Sequence, residues 1–178
     1  MEIVISNNIK LLSTKTIYAK DLFDLINKNR DYLRKWLPRT DKIDNLEKYK
    51  EIISNLEKRF EETKTGAFVI FYENEIVGTL DLQLIDKDNN IGGFGYWIDE
   101  DFQGYGIITQ SLQQIINYAF DEIRLHKLII QCVVENVSSI KVAGRLGFEK
   151  EAIFKNEFLL NGKYHDLVRY SLFNPLEI

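Results

Sequence analysis

Between Tyr96 and Thr109 the chain reads Tyr96-Trp97-Ile98-Asp99-Glu100-Asp101-Phe102-Gln103-Gly104-Tyr105-Gly106-Ile107-Ile108-Thr109. A strand runs into a glycine-containing loop, and the loop opens a periodic helix. The first N–H groups of a helix lack internal partners, and the aligned peptide dipoles add about half a positive charge at that end. An anion fits there, a pyrophosphate above all. Gly104 and Gly106 let the backbone approach phosphate oxygens with no Cβ in the way and tolerate φ > 0. Thr109 offers a hydroxyl in the same first turn. Two glycines before a helix also serve as a plain turn. The loop is not a Walker loop, since no Gly-Lys-Ser/Thr follows, and it lacks the third glycine and the parallel βαβ setting of a dinucleotide fingerprint.

Other reactive side chains are less informative. Cys132 lies inside an apolar run and reads as a small core residue rather than a nucleophile. His126 and His165 are far apart, with no cysteine or carboxylate spacing to match, so no metal site is expected. The His165-Asp166 pair either lines a cleft or holds a structural edge.

The elements that must position the glycine loop follow from periodicity. Ile3-Val4-Ile5 and Ile9-Lys10-Leu11-Leu12 form a first strand or a broken pair. Ser13, Thr14 and Thr16 are cap candidates for a helix with Ile17, Leu22, Leu25 and Ile26 on one face. Residues 33–38 make a short helical turn halted at Pro38. Residues 45–62 form a helix with Leu46, Tyr49, Ile53, Leu56 and Phe60 as its stripe. The mixed charges of Glu57, Lys58, Arg59, Glu61 and Glu62 mark its solvated face. Strands at 67–72 and 76–85, joined by Glu73-Asn74-Glu75, continue through a polar turn into a third at 92–98, an antiparallel meander. After the loop at 99–106 comes a helix carrying Ile108, Leu112, Ile115, Ala119 and Phe120. Residues 127–134 are a strand apolar enough to be buried on both faces. A helix at 137–146 closes at Gly147, and two last strands flank Asn161-Gly162. The class is α+β, a central, mostly antiparallel mixed sheet flanked by helices on both faces.

The 178 residues fit a single domain, 1–178, that needs no disulfide or metal. A net charge of −4 argues against general affinity for nucleic acid or anionic membrane. One cysteine excludes an intrachain disulfide. With no basic-then-apolar N-terminus and no stretch near the ~18 apolar residues of a membrane span, a cytoplasmic location is expected.

Gln103-x-x-Gly106, with Tyr96-Trp97-Ile98 before it, resembles the acetyl-CoA loop of the GNAT acetyltransferase superfamily. Asn136-x-x-Ser139, Arg145-Leu146-Gly147-Phe148, the Asn161-Gly162 hairpin and Trp36-Leu37-Pro38 extend the resemblance to the RimJ/RimL-type branch, which acetylates protein N-termini. The resemblance implies acetyl-CoA as cosubstrate and no metal. It implies that the Tyr96, Trp97 and Ile98 backbone pairs with the pantetheine arm. The amides of Gln103, Gly104, Tyr105, Gly106, Ile107, Ile108 and Thr109 would hold the pyrophosphate. Asn136 would contact the arm and Ser139 would lie near the sulfur. Trp36 becomes part of an acceptor pocket or a buried anchor for the first helices. Ile108 departs from the wider superfamily, which has Gly or Ala there, and a slightly different approach to the phosphates is expected.

Acetyl transfer needs a neutral amine about 3 Å from the thioester carbonyl and donors for the developing oxyanion. A backbone N–H at the end of the 96–98 strand suits the second need. Ser139 is the implied partner of the leaving thiolate, ahead of Tyr105 and Tyr118, although serine early in a helix also serves as a cap. RimL-like enzymes carry a glutamate on the strand entering the Asn-Gly hairpin; here that position is Phe158, and Glu157 is its neighbour. A one-residue offset turns Glu157 to the opposite face unless a bulge intervenes. Asp81 and Gln83 on the meander are alternative bases. A site without an evident base favours an α-amine, with a pKa of roughly 7.7–8.0, over lysine near 10.4. Three readings follow: an acetyltransferase for protein N-termini, ribosomal-protein-like acceptors included; one for a small amine such as a polyamine or antibiotic; or a non-catalytic acyl-CoA sensor. Monomer and homodimer both fit.

Overall fold

The computed structural model describes residues 1–175. Eight strands form one sheet: β1 (Glu2–Val4), β2 (Ile9–Ser13), β3 (Ala67–Tyr72), β4 (Glu75–Asp86), β5 (Ile91–Ile98), β6 (Lys127–Val133), β7 (Glu149–Leu160) and β8 (Lys163–Phe173). Their spatial order is β1-β2-β3-β4-β5-β6-β8-β7. Every pairing is antiparallel except β5 with β6. The helices are α1 (Ala19–Lys28), α2 (Arg30–Leu33), α3 (Leu46–Thr63), α4 (Ile107–Asp121) and α5 (Val137–Arg145).

Strand alternation divides the sheet into two faces. Phe68, Leu80 and Leu82 point to one, where they meet Leu112, Ile115 and Ala119 of α4. Val69, Phe71 and Trp97 point to the other, against Leu22 and Ile26 of α1 and Tyr49 and Ile53 of α3. Helices therefore cover both faces, as expected. Leu112 is fully buried, and truncating it to alanine would cost about 2–5 kcal/mol.

Local chemistry sets the ends of α3. Asn45 accepts hydrogen bonds from the Glu47 and Lys48 amides, and Lys64 closes the helix in the left-handed region at φ 58°. Its charged side is less uniformly solvated than the sequence implies, because Arg59 reaches inward to Asp81. Ile17 departs further: it lies in a 3-10 turn ahead of α1 and is 78% exposed. Thr16 caps nothing and instead donates its N–H and hydroxyl to Glu57. Pro38 opens a 3-10 helix, Pro38–Lys42, where its missing N–H costs nothing.

The feature that positions the site is the junction of β5 and β6. They pair over only four positions, from Ile91↔Lys127 to Phe94↔Ile130. Beyond these, Gly95–98 and 131–133 diverge while each strand stays bonded to its outer neighbour. Burial along β6 therefore lapses past the last pair: Gln131 is exposed and Cys132 half-buried, before Val133 is buried again.

Candidate active site

The divergence of β5 and β6 opens a cavity of about 840 Å³. Its walls come from the end of β5, the loop after it, the first turn of α4, the end of β6, one face of α5, the α2 turn and the β7–β8 hairpin. The facing edges of the two diverged strands carry backbone groups with no partner strand, which an extended ligand can pair with.

Gly106 is the N-cap of α4 at φ 73°; it gives no side-chain cap, and no acidic residue occupies the first turn. The helix thus presents uncapped N–H groups and a positive dipole end to the cavity. Gly104 also has positive φ, 83°, and a Cβ on it would meet nothing within 4 Å; one on Gly106 would touch only the Gln110 side chain, at 3.6 Å. Conformation, more than room within the protein, demands glycine at both positions.

The loop is tied down from α1. Lys28 bridges Asp99 and Asp101, both at 2.7 Å, and these hydrogen bonds, Asp101 first, raise its pKa. Asn29 accepts from the Glu100 amide at 2.9 Å.

Across the cavity, the Asn136 side chain accepts from the Ser139 amide at 3.1 Å and caps α5. The capping role open to Ser139 thus falls to Asn136, and the Ser139 side chain interacts instead with Tyr96. Burial pushes the Tyr96 phenol up to about 12, with Ser139 opposing the rise and Cys132 adding to it. Cys132 also corrects expectation: its thiol, which burial pushes up to about 11, lines the cavity instead of the core.

Tyr96, Trp97, Ile98, Gln103, Gly104, Gly106, Ile107, Ile108, Thr109, Asn136 and Ser139 all line the cavity, as does Trp36. Tyr105 does not. It is 61% exposed, and its ring lies against Tyr72 and Phe102. Tyr118 is also elsewhere, donating its hydroxyl to the Lys64 carbonyl at 2.8 Å.

The base candidates fall outside. Asp81 and Gln83 lie on the α3 side of β4, bonded to each other at 2.7 Å, with Arg59 on Asp81. Burial raises the Asp81 pKa, opposed by Arg59 and Gln83. Glu157 is exposed and does not line the cavity, whereas Phe158 does. A bulge does intervene, but upstream. Phe154 pairs with Leu167 and Phe158 with His165, so residues 155–157 stand opposite Asp166 alone. Two extra residues preserve the alternation, and Glu157 stays turned away. Asp166 holds the bulge, accepting from the Asn156 amide and Lys155, which settles it as a structural edge. His165 contacts Glu135 at 3.3 Å.

Sequence reasoning missed Tyr32, Lys141, Arg145 and Leu167 on the walls. Lys141 and Arg145 sit one helical turn apart on α5, a spacing visible in the sequence. Leu167 needed the β7–β8 register. They are the only charged side chains among the lining residues, which include no carboxylate.

A slot between diverged strands, ending at an uncapped helix N-terminus and flanked by two cations, suits a long ligand with a pantetheine-like arm and an anionic nucleotide tail. Such a fold and site define a coenzyme A-dependent acyltransferase. The acetyltransferase (GNAT) domain family matches residues 12–149, and the chain belongs to it. It is 34% identical over 165 residues to the putative ribosomal N-acetyltransferase YdaF of Bacillus subtilis (strain 168), covering 92% of this chain and 89% of that one. It is 31% identical over 169 residues to the ribosomal-protein-serine acetyltransferase of Escherichia coli (strain K12), covering 95% and 94%. Among solved structures, RimL, a ribosomal L7/L12 α-N-protein acetyltransferase joined to coenzyme A through a cysteine disulfide, superposes with a TM-score of 0.93 at 29% identity, covering 97% and 98%. The chain is an N-acetyltransferase that uses acetyl-CoA.

Proposed function

We propose that the acceptor is the N-terminal α-amine of a protein, of the ribosomal-protein class that the relatives' names describe, and that residues 1–178 act as one domain in the cytoplasm. The observation that carries this reading is that no carboxylate lines the cavity. A polyamine would bring several positive charges with no carboxylate in the wall to neutralise them, and the cost of desolvating unpaired charges would oppose it. A terminal α-amine is already about half neutral near pH 8 and needs no carboxylate to discharge it. Tyr32, Trp36, Leu37, Phe158 and Leu167 form an apolar wall for the first side chains of a peptide. The Asn161 side chain donates to the Arg34 carbonyl at 3.3 Å, docking the β7–β8 hairpin on the α2 turn and completing that wall.

In this reading the diverged edge of β5 aligns the donor's arm, and the first turn of α4 binds its pyrophosphate. Asn136 contacts the arm, Ser139 lies near the sulfur, and a β5 backbone N–H stabilises the oxyanion. Glu157 takes no part. Thiol release from acetyl-CoA, measured with a peptide panel, a lysine-containing peptide blocked at its N-terminus, and spermidine, tests the reading. Turnover confined to free peptide N-termini is expected. Turnover of spermidine or blocked lysine at rates equal to the peptides refutes it.

A further inference from the structure

Among the described residues four glycines lie in strands, Gly78 on β4 and Gly92, Gly93 and Gly95 on β5. At three of them a side chain would be crowded. A Cβ on Gly78 would stand 2.3 Å from the Trp97 carbonyl oxygen, one on Gly92 2.6 Å from Leu125, and one on Gly93 2.4 Å from Ile85. Gly95 is different. Its φ is not positive, a Cβ there would meet nothing within 4 Å, and the residue is exposed on the cavity wall. Glycine weakens a strand, and one that neither conformation nor packing demands marks a place where another molecule comes close.

Gly95 is the first β5 residue past the last pair with β6, Phe94↔Ile130. Its register partner on β4 is Asp81, and Gln131, across the gap, pairs with Arg169. Phe94, Tyr96 and Ile130 pack into the α4 core, whereas Trp97 packs against α1 and α3. Alternation therefore turns Asp81, Gly95, Gln131 and Arg169 to the α1 and α3 face, in one row across the sheet. The row carries a carboxylate, an amide and a guanidinium, and is bare only at Gly95. We propose that Gly95 is a steric gate for the acceptor: the first residue of the incoming chain passes over its bare face, from the α1 and α3 side, to bring the amine to the thioester. The donor takes the strand edges and the N-terminus of α4, which leaves this opposite face for a nitrogen that must come within about 3 Å of the carbonyl carbon. A methyl group on Gly95 would stand in that path. The backbone groups that the donor uses lie in the plane of the sheet and would be untouched.

The inference rests on acetyl-CoA as donor, and on the peptide reading only for its choice of probes. Gly95→Ala and Gly95→Val are assayed with peptides that begin with glycine, serine or leucine, and donor binding is read as the rise in Tm with coenzyme A. Both variants should keep that rise, and Gly95→Ala should melt no earlier than the wild type without ligand. For a serine-first peptide, kcat/KM should fall about tenfold in Gly95→Ala and about a hundredfold in Gly95→Val. The fall should steepen from glycine to leucine at the first position. An unchanged kcat/KM overturns the proposal, and so does an equal loss for all three peptides, which would mean a general disturbance. Loss of the rise with coenzyme A also overturns it, by placing the donor over Gly95. If Gly95→Val folds poorly, the Gly95→Ala series decides alone. A wild type that turns over spermidine and no peptide would sink the acceptor reading. The gate would then stand only if Gly95→Ala slowed spermidine too.

Discussion

The two halves of the cavity are built differently. The donor half is almost contiguous: the end of β5, its loop and the first turn of α4 fall within residues 95–110, and α5 supplies the opposite wall. What it offers is backbone geometry, with unpaired strand edges, uncapped amides and two left-handed glycines. The proposed acceptor half is assembled from Trp36, Phe158 and Leu167, which only the folded sheet brings together, and in that proposal it works through side chains. A backbone-built subsite tolerates side-chain change and fails when φ is restricted. A side-chain subsite should do the reverse, changing specificity while the fold and donor binding persist.

Gly106→Val is the harshest test of that contrast. A β-branched residue strongly resists φ 73°, so the stabilisation by acetyl-CoA, about 2.7 kcal/mol at a hundred times its Kd, should vanish from a thermal melt. A full shift in that variant would show that the loop does not hold the phosphates. Ser139→Ala removes a side chain from an otherwise backbone-built half. Its kcat should fall on the order of ten- to a hundredfold with donor affinity little changed; a large loss of affinity would instead assign Ser139 to binding.

On the acceptor side, a peptide's kcat/KM should climb with pH and level off above roughly 7.7–8.0, as the α-amine loses its proton. The neutral form reacts, so the rate must drop about tenfold per pH unit below that range. A plateau displaced toward 10 would mean that lysine is the acceptor. The smallest effect belongs to Glu157→Gln, which should alter kcat by less than roughly threefold, since its carboxylate points away from the cavity. A dead Glu157→Gln would show the bulge turning inward in the working enzyme.

The same contrast explains what the sequence disclosed. The meander, the α4 helix and the glycine loop are local patterns, and every residue expected from them to meet the cofactor lines the cavity except Tyr105. The Tyr105 side chain turns outward, and a residue between two left-handed glycines has no periodicity to give that direction. The orientation of Glu157 was legible because alternation survives a two-residue bulge; Asp81 and Gln83 could not be placed, because nothing local announces that α3 sends Arg59 across to meet Asp81. Cys132 looked like core because hydrophobicity cannot register that two neighbouring strands part company. Ile17 illustrates the same limit at small scale: its spacing fits the α1 stripe, but the helix begins two residues later.

The four-position ladder between β5 and β6 also makes the molecule a pair of leaves, β1–β5 and β6–β8, with one short spine. A donor arm lying in the gap would add rungs to that spine, so amides on either side should exchange with deuterium far more slowly once it binds. Protection should then spread from the gap into β8 and β4, whose outer ladders are already complete, because opening either leaf would mean expelling the ligand first.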